Sequence, residues 1–247
     1  MVSILIIGDE ILSGSVREAN LYPLISGLAS VGYPVQEVRI VSDGVEHIAT
    51  AIRDLLKSAA YVVTVGGIGP THDDRTLEAV AVACDVPLVR NAEMLRFLEG
   101  RYGTPLTPMV EKMADLPVGT EVQGCAQGRW PLIRREQLFV LPGLPVALLD
   151  KLQRLLGELP PRRTVAQRKI YLTADESEFA DWLTAYQDRN GTVTIGSYPV
   201  HGQRDYAAHI DVRGDDRDEV LRCAGELQAY AVQHNWFVRT EGDLEGE

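Results

Sequence analysis

The chain contains few cysteines, and basic residues are fewer than acidic ones. The three cysteines, Cys84, Cys125 and Cys223, are widely spaced and form no CxxC pair, which argues against a disulfide framework or a structural zinc site and favours a reducing compartment. Lysine and arginine number 24 against 35 aspartate and glutamate residues, so the formal net charge is −11. An acidic chain repels nucleic acid and anionic membrane surfaces, and we expect neither as a partner.

Long hydrophobic runs are also missing. The apolar run at the N-terminus, Val2–Ile7, is too short for a signal peptide, and no run reaches transmembrane length. We therefore expect a soluble, cytoplasmic protein. The 247 residues are 45% apolar and 24% charged, which is typical of a globular chain with one medium and one smaller domain.

Strand and helix patterns alternate over the first 85 residues. Val2–Ile7, Val35–Val41 and Tyr61–Val65 predict strands, and each is followed by apolar residues at helical spacing. Short connections between such elements indicate a mostly parallel sheet covered on both faces, a three-layer, Rossmann-like α/β domain. We place this domain at residues 1–160, because prolines and arginines then break the pattern, and we place a small α+β domain of βαββα order at residues 165–240.

Polar clusters follow each of the three predicted strands. Asp9 and Glu10 follow the first strand, Asp43 follows the second, and a glycine-rich segment follows the third. The carboxyl ends of parallel strands lie at one edge of a sheet, where ligands bind. We therefore expect these clusters to converge into a site with several acidic side chains.

The segment after the third strand carries the clearest functional signal. It reads Gly66-Gly67-Ile68-Gly69-Pro70-Thr71-His72-Asp73-Asp74-Arg75-Thr76 and leads into an apolar helical run. This order places backbone N–H groups at a helix N-terminus, where phosphate binds, and adjacent carboxylates suit a hydrated divalent metal. The segment predicts a metal site at Asp73 and Asp74. It also predicts phosphate contacts from Gly66, Gly67, Gly69, Pro70, Thr71 and Thr76.

A structural alternative exists for two of these residues. Thr71 and Asp74 have the spacing of a capping box, and acidic residues stabilise the first turn of any helix. Capping needs only one carboxylate, whereas the segment has two, with Asp9 and Asp43 expected nearby. The acidic residues therefore favour a functional site.

Four motifs, in order, resemble the molybdopterin-binding-like domain of the MoaB/Mog proteins. They are the sequence GDEILSG at residues 8–14, Asn20, the glycine-rich segment at residues 66–76, and Leu141-Pro142-Gly143-Leu144-Pro145. The form GGxGPTxDD is most similar to the N-terminal region of the competence-damage-inducible protein CinA. The second domain, with the sequence IGSYP at residues 195–199, resembles the small domain that follows in CinA and in eukaryotic FAD synthases. The amidohydrolase domain of full-length CinA is not expected in this chain.

The resemblance implies an activity and assigns residues to it. The N-terminal region of CinA is associated with cleavage of the pyrophosphate of ADP-ribose-like dinucleotides, which requires a divalent metal (Mg²⁺, Mn²⁺ or Co²⁺) and is assisted by potassium. A hydrolase of this type is our leading expectation. Relatives form dimers or trimers, so a homo-oligomer is also implied. Catalytic roles would belong to Asp43, Asp73 and Asp74, ligand contacts to Asp9 and Glu10, and a wall of the pocket to Pro142 and Gly143.

Two other functions remain open at this point. One is binding or adenylylation of molybdopterin or its metal cofactor, and the other is a binding module without catalysis. The chain also departs from CinA relatives between Pro117 and Phe139, where those relatives carry an asparagine-containing stretch and an apolar glycine turn. Here the sequence is GCAQGRWP at residues 124–131, which leaves the identity of the nucleotide open.

Overall fold

The computed structural model describes residues 1–125, 129–162, 165–200, 202 and 205–242. Residues 126–128, within the segment that departs from CinA relatives, lie outside the described residues. The chain divides into two compact units, Met1–Arg162 and Arg163–Glu247, and each has its own hydrophobic core.

The first unit alternates strands and helices along most of its length. Its strands are β1 (Val2–Ile7), β2 (Val35–Val41), β3 (Tyr61–Val65), β4 (Leu88–Arg90), β5 (Asp115–Pro117), β6 (Glu121–Gln123), β7 (Leu132–Arg135) and β8 (Leu138–Leu141). Its helices are α1 (Asp9–Leu12), α2 (Leu21–Ser30), α3 (Val45–Ser58), α4 (Thr76–Ala83), α5 (Ala92–Tyr102), α6 (Pro108–Lys112) and α7 (Pro145–Glu158). The three predicted strands have the predicted bounds.

The main sheet is parallel at its centre and antiparallel at one edge. Its strand order is β2-β1-β3-β8-β7-β6. The pairs among β2, β1, β3 and β8 are parallel, whereas β7 runs antiparallel to both β8 and β6. Strands β4 and β5 form a separate antiparallel pair. The predicted mostly parallel sheet is therefore confirmed.

Each face of the main sheet packs against its own core. Along β1, Leu5 and Ile7 belong to the core on one face, and Ile4 and Ile6 belong to the core on the other. Burial on both faces explains why this strand is a continuous apolar run without alternation. The three-layer α/β architecture predicted from the sequence is confirmed.

The second unit is a small α+β fold. Its elements are β9 (Ala166–Leu172), α8 (Glu176–Arg189), β10 (Thr194–Pro199), β11 (Ala208–Gly214), α9 (Arg217–Gln233) and β12 (Phe237–Glu241). The strands pair antiparallel in the order β10-β11-β9-β12, so β12 extends the predicted βαββα order by one strand. Within the ranges described for both units, no helix has the length and apolar character needed to cross a membrane.

Candidate functional site

The turn after β3 requires glycine at its first position. Gly66 has φ +106°, and a Cβ added there would lie 2.3 Å from the carbonyl oxygen of Ile7. No other residue fits so close to the backbone of β1 without moving it. The backbone N–H of Gly66 donates to the carbonyl of Leu141 at 3.0 Å, which ties the turn to the end of β8.

Thr76 holds the glycine turn from inside the protein. Its side chain is fully buried, and its hydroxyl donates to the carbonyl oxygen of Gly66 at 2.8 Å. Its backbone N–H donates to the carbonyl of Gly67 at 2.9 Å. Because the hydroxyl is already used, the predicted donation from Thr76 to a phosphate would require this bond to break.

A second turn packs directly against the first. A Cβ on Gly143 would lie 3.4 Å from the Cα of Gly66, so the two backbones are close neighbours. The side-chain amide of Asn20 donates to the carbonyl of Gly143 at 2.8 Å. Three of the four motifs noted in the sequence therefore meet here.

The acidic residues after β1 and β2 also meet. One carboxylate oxygen of Asp43 accepts the backbone N–H of Asp9 at 2.8 Å. Burial raises the pKa of Asp43 above its ordinary value, although the N–H of Asp9 opposes this effect, and the carboxylates of Asp9, Glu10 and Asp73 add to the rise. Asp43 is therefore a better proton acceptor than an exposed aspartate.

Asp74 shapes the turn that leads into α4 but is not part of a helix cap. It accepts hydrogen bonds from the backbone N–H of Thr71, at 2.8 Å, and from the hydroxyl of Thr71. Helix α4 begins at Thr76, and the residue at its N-cap position is Arg75. A capping box at Thr71 and Asp74 is therefore not formed at the start of this helix.

These turns border a cavity of about 470 Å³. Most of the residues predicted from the sequence line it: Glu10, Asp43, Gly66, Gly67, Gly69, Pro70, Asp73, Asp74, Pro142 and Gly143. Asp9, Thr71 and Thr76 are not in its lining; Asp9 and Thr71 are exposed, and Thr76 is buried. Four acidic side chains thus border one cavity with the glycine turn, as their positions at the ends of parallel strands predicted: Glu10, Asp43, Asp73 and Asp74.

Apart from Trp130 and Pro131 in the segment GCAQGRWP and Leu144 in the motif LPGLP, the sequence did not point to the rest of the lining. It is largely apolar and includes Met94, Tyr102, Met113, Trp130 and Ile133. It also includes Lys151, which lies on α7 and is 1% exposed. The signal that could have revealed Lys151 is the helical spacing of Ala147 and Lys151, which lie four residues apart on one face of α7 and both line the cavity.

Asp73 and Asp74, where the sequence predicted a metal site, both line the cavity. In the described part of the chain, no three His, Cys, Asp or Glu side chains are grouped so as to hold a metal ion. Mg²⁺ is commonly held by one or two carboxylates together with substrate phosphates and water. Asp73 and Asp74, beside the glycine turn, fit that pattern.

Comparison with known proteins assigns each unit to a family description. Residues 3–161 match "Probable molybdopterin binding domain", and residues 164–239 match "FAD synthase, middle domain". The chain is similar to a "Probable FAD synthase" of Caenorhabditis elegans, with 30% identity over 95% of this chain and 52% of that protein. It is also similar to a "CinA-like protein" of Syntrophus aciditrophicus, with 34% identity over 94% of this chain and 58% of that protein.

A solved structure shows the same fold for the first unit. The crystal structure of the protein CinA from Thermoplasma acidophilum superimposes with a TM-score of 0.58 at 29% identity, covering 64% of this chain and 96% of that one. The chain spans about half the length of the FAD synthase relatives that it matches.

Proposed function

This chain belongs to the family described as "Probable molybdopterin binding domain", and from that premise we propose that it hydrolyses a diphosphate linkage in a bound nucleotide. The substrates proposed are dinucleotides of the ADP-ribose type. The observation that supports this most is the shared cavity, where four carboxylates and a glycine turn border the same space. Its apolar remainder suits the ring of a nucleotide.

Asp43 is our candidate for the general base. Its raised pKa favours proton uptake, and the bond from the N–H of Asp9 holds one of its oxygens in place. A water oxygen would attack one phosphorus while its proton passes to Asp43. The bond between that phosphorus and the bridging oxygen breaks, and the products are two monophosphates.

The glycine turn and the other acidic residues would serve the phosphates. Backbone N–H groups in the turn at Gly67 to Gly69 are suited to stabilise negative charge that develops on phosphate oxygens. Asp73 and Asp74 would hold a divalent ion, which supplies charge neutralisation to the diphosphate when bound. We also propose, from the same resemblance, that potassium assists the reaction and that the protein forms a dimer or a trimer.

The test is incubation of the purified protein with ADP-ribose, FAD and related dinucleotides. Mg²⁺, Mn²⁺ or Co²⁺ is added, with and without K⁺, and products are read by mass spectrometry. We expect two monophosphates, no reaction in excess chelator, and a loss of about 10²- to 10⁴-fold in kcat in Asp43→Asn. The asparagine retains an oxygen that accepts the N–H of Asp9, so the turn remains intact.

Asp181→Asn is the matched control, because Asp181 is exposed on α8 in the other unit. It should cleave at the wild-type rate. Full activity in excess chelator, or in Asp43→Asn, would overturn the proposed mechanism. Absence of cleavage with every metal and substrate would reject hydrolysis altogether.

The second candidate function is binding or adenylylation of a pterin or flavin. It is favoured by the aromatic part of the cavity, with Trp130 and Tyr102, and by the names of the two matched families. Tight binding of molybdopterin without hydrolysis, or formation of FAD and diphosphate when FMN and ATP are supplied instead, would support it. A binding module without catalysis would bind ligand equally well in wild type and in Asp43→Asn and turn over nothing.

A further inference from the structure

Lys151 is a buried cationic side chain without a hydrogen-bond partner among the residues that the structure describes. It is 1% exposed, and within the described ranges its Nζ has no hydrogen-bond partner. Nζ lies 5.9 Å from the ring centre of Trp130, another residue of the cavity lining. Burying an ammonium group without a hydrogen-bonded partner is unfavourable, so its retention at this position calls for an acceptor from outside the fold.

Among the described residues, the nearest acidic groups do not neutralise this ammonium. The carboxylate oxygens of Asp150 lie 3.5 Å from the guanidinium nitrogens of Arg129 and Arg154, and Asp150 is therefore paired with arginine. Burial raises the pKa of Cys125 to about 11, so its thiol is neutral at pH 7. Burial also lowers the pKa of Lys151, to about 8, which leaves it predominantly charged at pH 7.

The backbone of Lys151 lies away from the turn at Pro142 to Leu144, which precedes α7. It lies six residues beyond Pro145, the first residue of α7, and is therefore about 9 Å further along the helix axis. Its surroundings are aromatic, because the ring of Trp130 packs edge-on against Phe97 at 5.1 Å and Tyr102 at 6.4 Å. Such a surface suits a planar ring better than a phosphate.

We propose that Lys151 and Trp130 form a subsite for the planar heterocycle of the ligand, in which Lys151 donates a hydrogen bond to a ring carbonyl oxygen. This proposal rests on the phosphate site of the proposed function and adds the chemistry of the ring. An ammonium group has three donors and no acceptor, so it pairs with a carbonyl and not with an exocyclic amine. The subsite therefore favours an oxo-heterocycle, such as a 6-oxopurine or an isoalloxazine, over a 6-aminopurine, which offers Lys151 ring nitrogens but no carbonyl oxygen. Among the proposed substrates it favours FAD, which carries an isoalloxazine, over ADP-ribose, whose only heterocycle is adenine.

Three monophosphates test the selection. IMP and AMP differ at position 6 of the purine, carbonyl against amine, and FMN offers ring carbonyls on a larger heterocycle. Dissociation constants are measured by isothermal titration calorimetry for wild type, for Lys151→Met and for Lys57→Met. We expect wild type to bind IMP or FMN at least about 10-fold more tightly than AMP, from the usual strength of a charged hydrogen bond.

Lys151→Met should remove this preference and leave the affinity for AMP unchanged. Methionine has a similar length without the charge, and the exposed Lys57 on α3 is the matched control, for which wild-type affinities are expected. Equal binding of all three ligands to wild type, equal losses for all three in Lys151→Met, or no binding of any of them would overturn the proposal.

The monophosphates contain no diphosphate to cleave, which separates the two proposals. Selective binding through Lys151 without turnover of any dinucleotide would reject hydrolysis and retain the ring subsite. Turnover of dinucleotides without discrimination between IMP and AMP would reject the ring subsite alone.

Discussion

Replacing Lys151 by methionine should stabilise the protein while it weakens the binding of IMP and FMN. Burial lowers the pKa of Lys151 from 10.5 to about 8, a difference of about 2.5 units. At about 1.4 kcal/mol per unit, the charged side chain costs the folded state about 3 kcal/mol at pH 7. Lys151→Met removes that cost and fills nearly the same volume, so its free energy of unfolding should exceed that of wild type by up to about 3 kcal/mol.

The sign of the pH dependence follows from proton counts. Between pH 8 and pH 10.5 the unfolded chain keeps the proton on Lys151 and the folded chain loses it, so wild-type stability rises with pH in this window relative to the variant. The advantage of Lys151→Met should therefore be full below pH 8 and vanish near pH 10.5. The charged and titratable neighbours Asp150, Arg154 and Cys125 are the same in both proteins, so their contributions largely cancel in the difference.

Urea denaturation of wild type, Lys151→Met and Lys57→Met, repeated from pH 7 to pH 10.5, measures this difference. Lys57→Met should change the free energy of unfolding by no more than about 0.5 kcal/mol, because the side chain of Lys57 is 73% exposed. If Lys151→Met is less stable than wild type at pH 7, the ammonium has a partner in the folded protein and the reasoning is wrong. If the difference in free energy of unfolding between Lys151→Met and wild type is the same at pH 10.5 as at pH 7, the charge on Lys151 is not its cause.

Two further substitutions probe the glycine turn, each by urea denaturation. Gly66→Ala should lower the free energy of unfolding by about 2–4 kcal/mol, because Gly66 has a positive φ and a Cβ there would meet the carbonyl oxygen of Ile7. Gly100→Ala is the control: Gly100 lies in α5 with open space around it, so the free energy of unfolding should rise by about 0.5–1 kcal/mol. A neutral Gly66→Ala would mean that the turn rearranges freely. Thr76→Val should lower the free energy of unfolding by about 1–3 kcal/mol, because valine has a similar shape but no hydroxyl to donate to the carbonyl oxygen of Gly66. A decrease below about 0.5 kcal/mol would show that this bond does not hold the turn.

The sequence predicted the parallel strands of the main sheet well, because burial of both faces requires apolar residues along the whole strand. Strands such as β1 are apolar throughout because both of their faces are covered, and glycine turns mark their ends. No comparable sequence pattern indicated the β7–β8 hairpin. Its turn contains Glu136 at φ +53°, a position where glycine or asparagine usually signals a hairpin, and β7 ends in two arginines.

The acidic half of the cavity was predictable, and its cationic side chain was not. Asp43 and the glycine turn follow strands whose order places them together, so strand pattern alone locates them. Lys151 lies within an amphipathic helix, where a lysine is ordinarily solvated. Its burial depends on packing with residues such as Trp130, which are distant in the sequence and which no helical pattern reveals.

The reversal of β7 has a consequence for how this fold diversifies. Because β7 runs antiparallel to β8, its first residue lies beside the last residue of β8, and Trp130 just before it reaches the same edge as the glycine turn. Trp130, in the connection from β6 to β7, therefore borders the cavity, while β3 and β8 lead into the turns at Gly66 and Gly143. Insertion, deletion or substitution in that connection would therefore change the aromatic side of the cavity without altering the strands that lead into these turns.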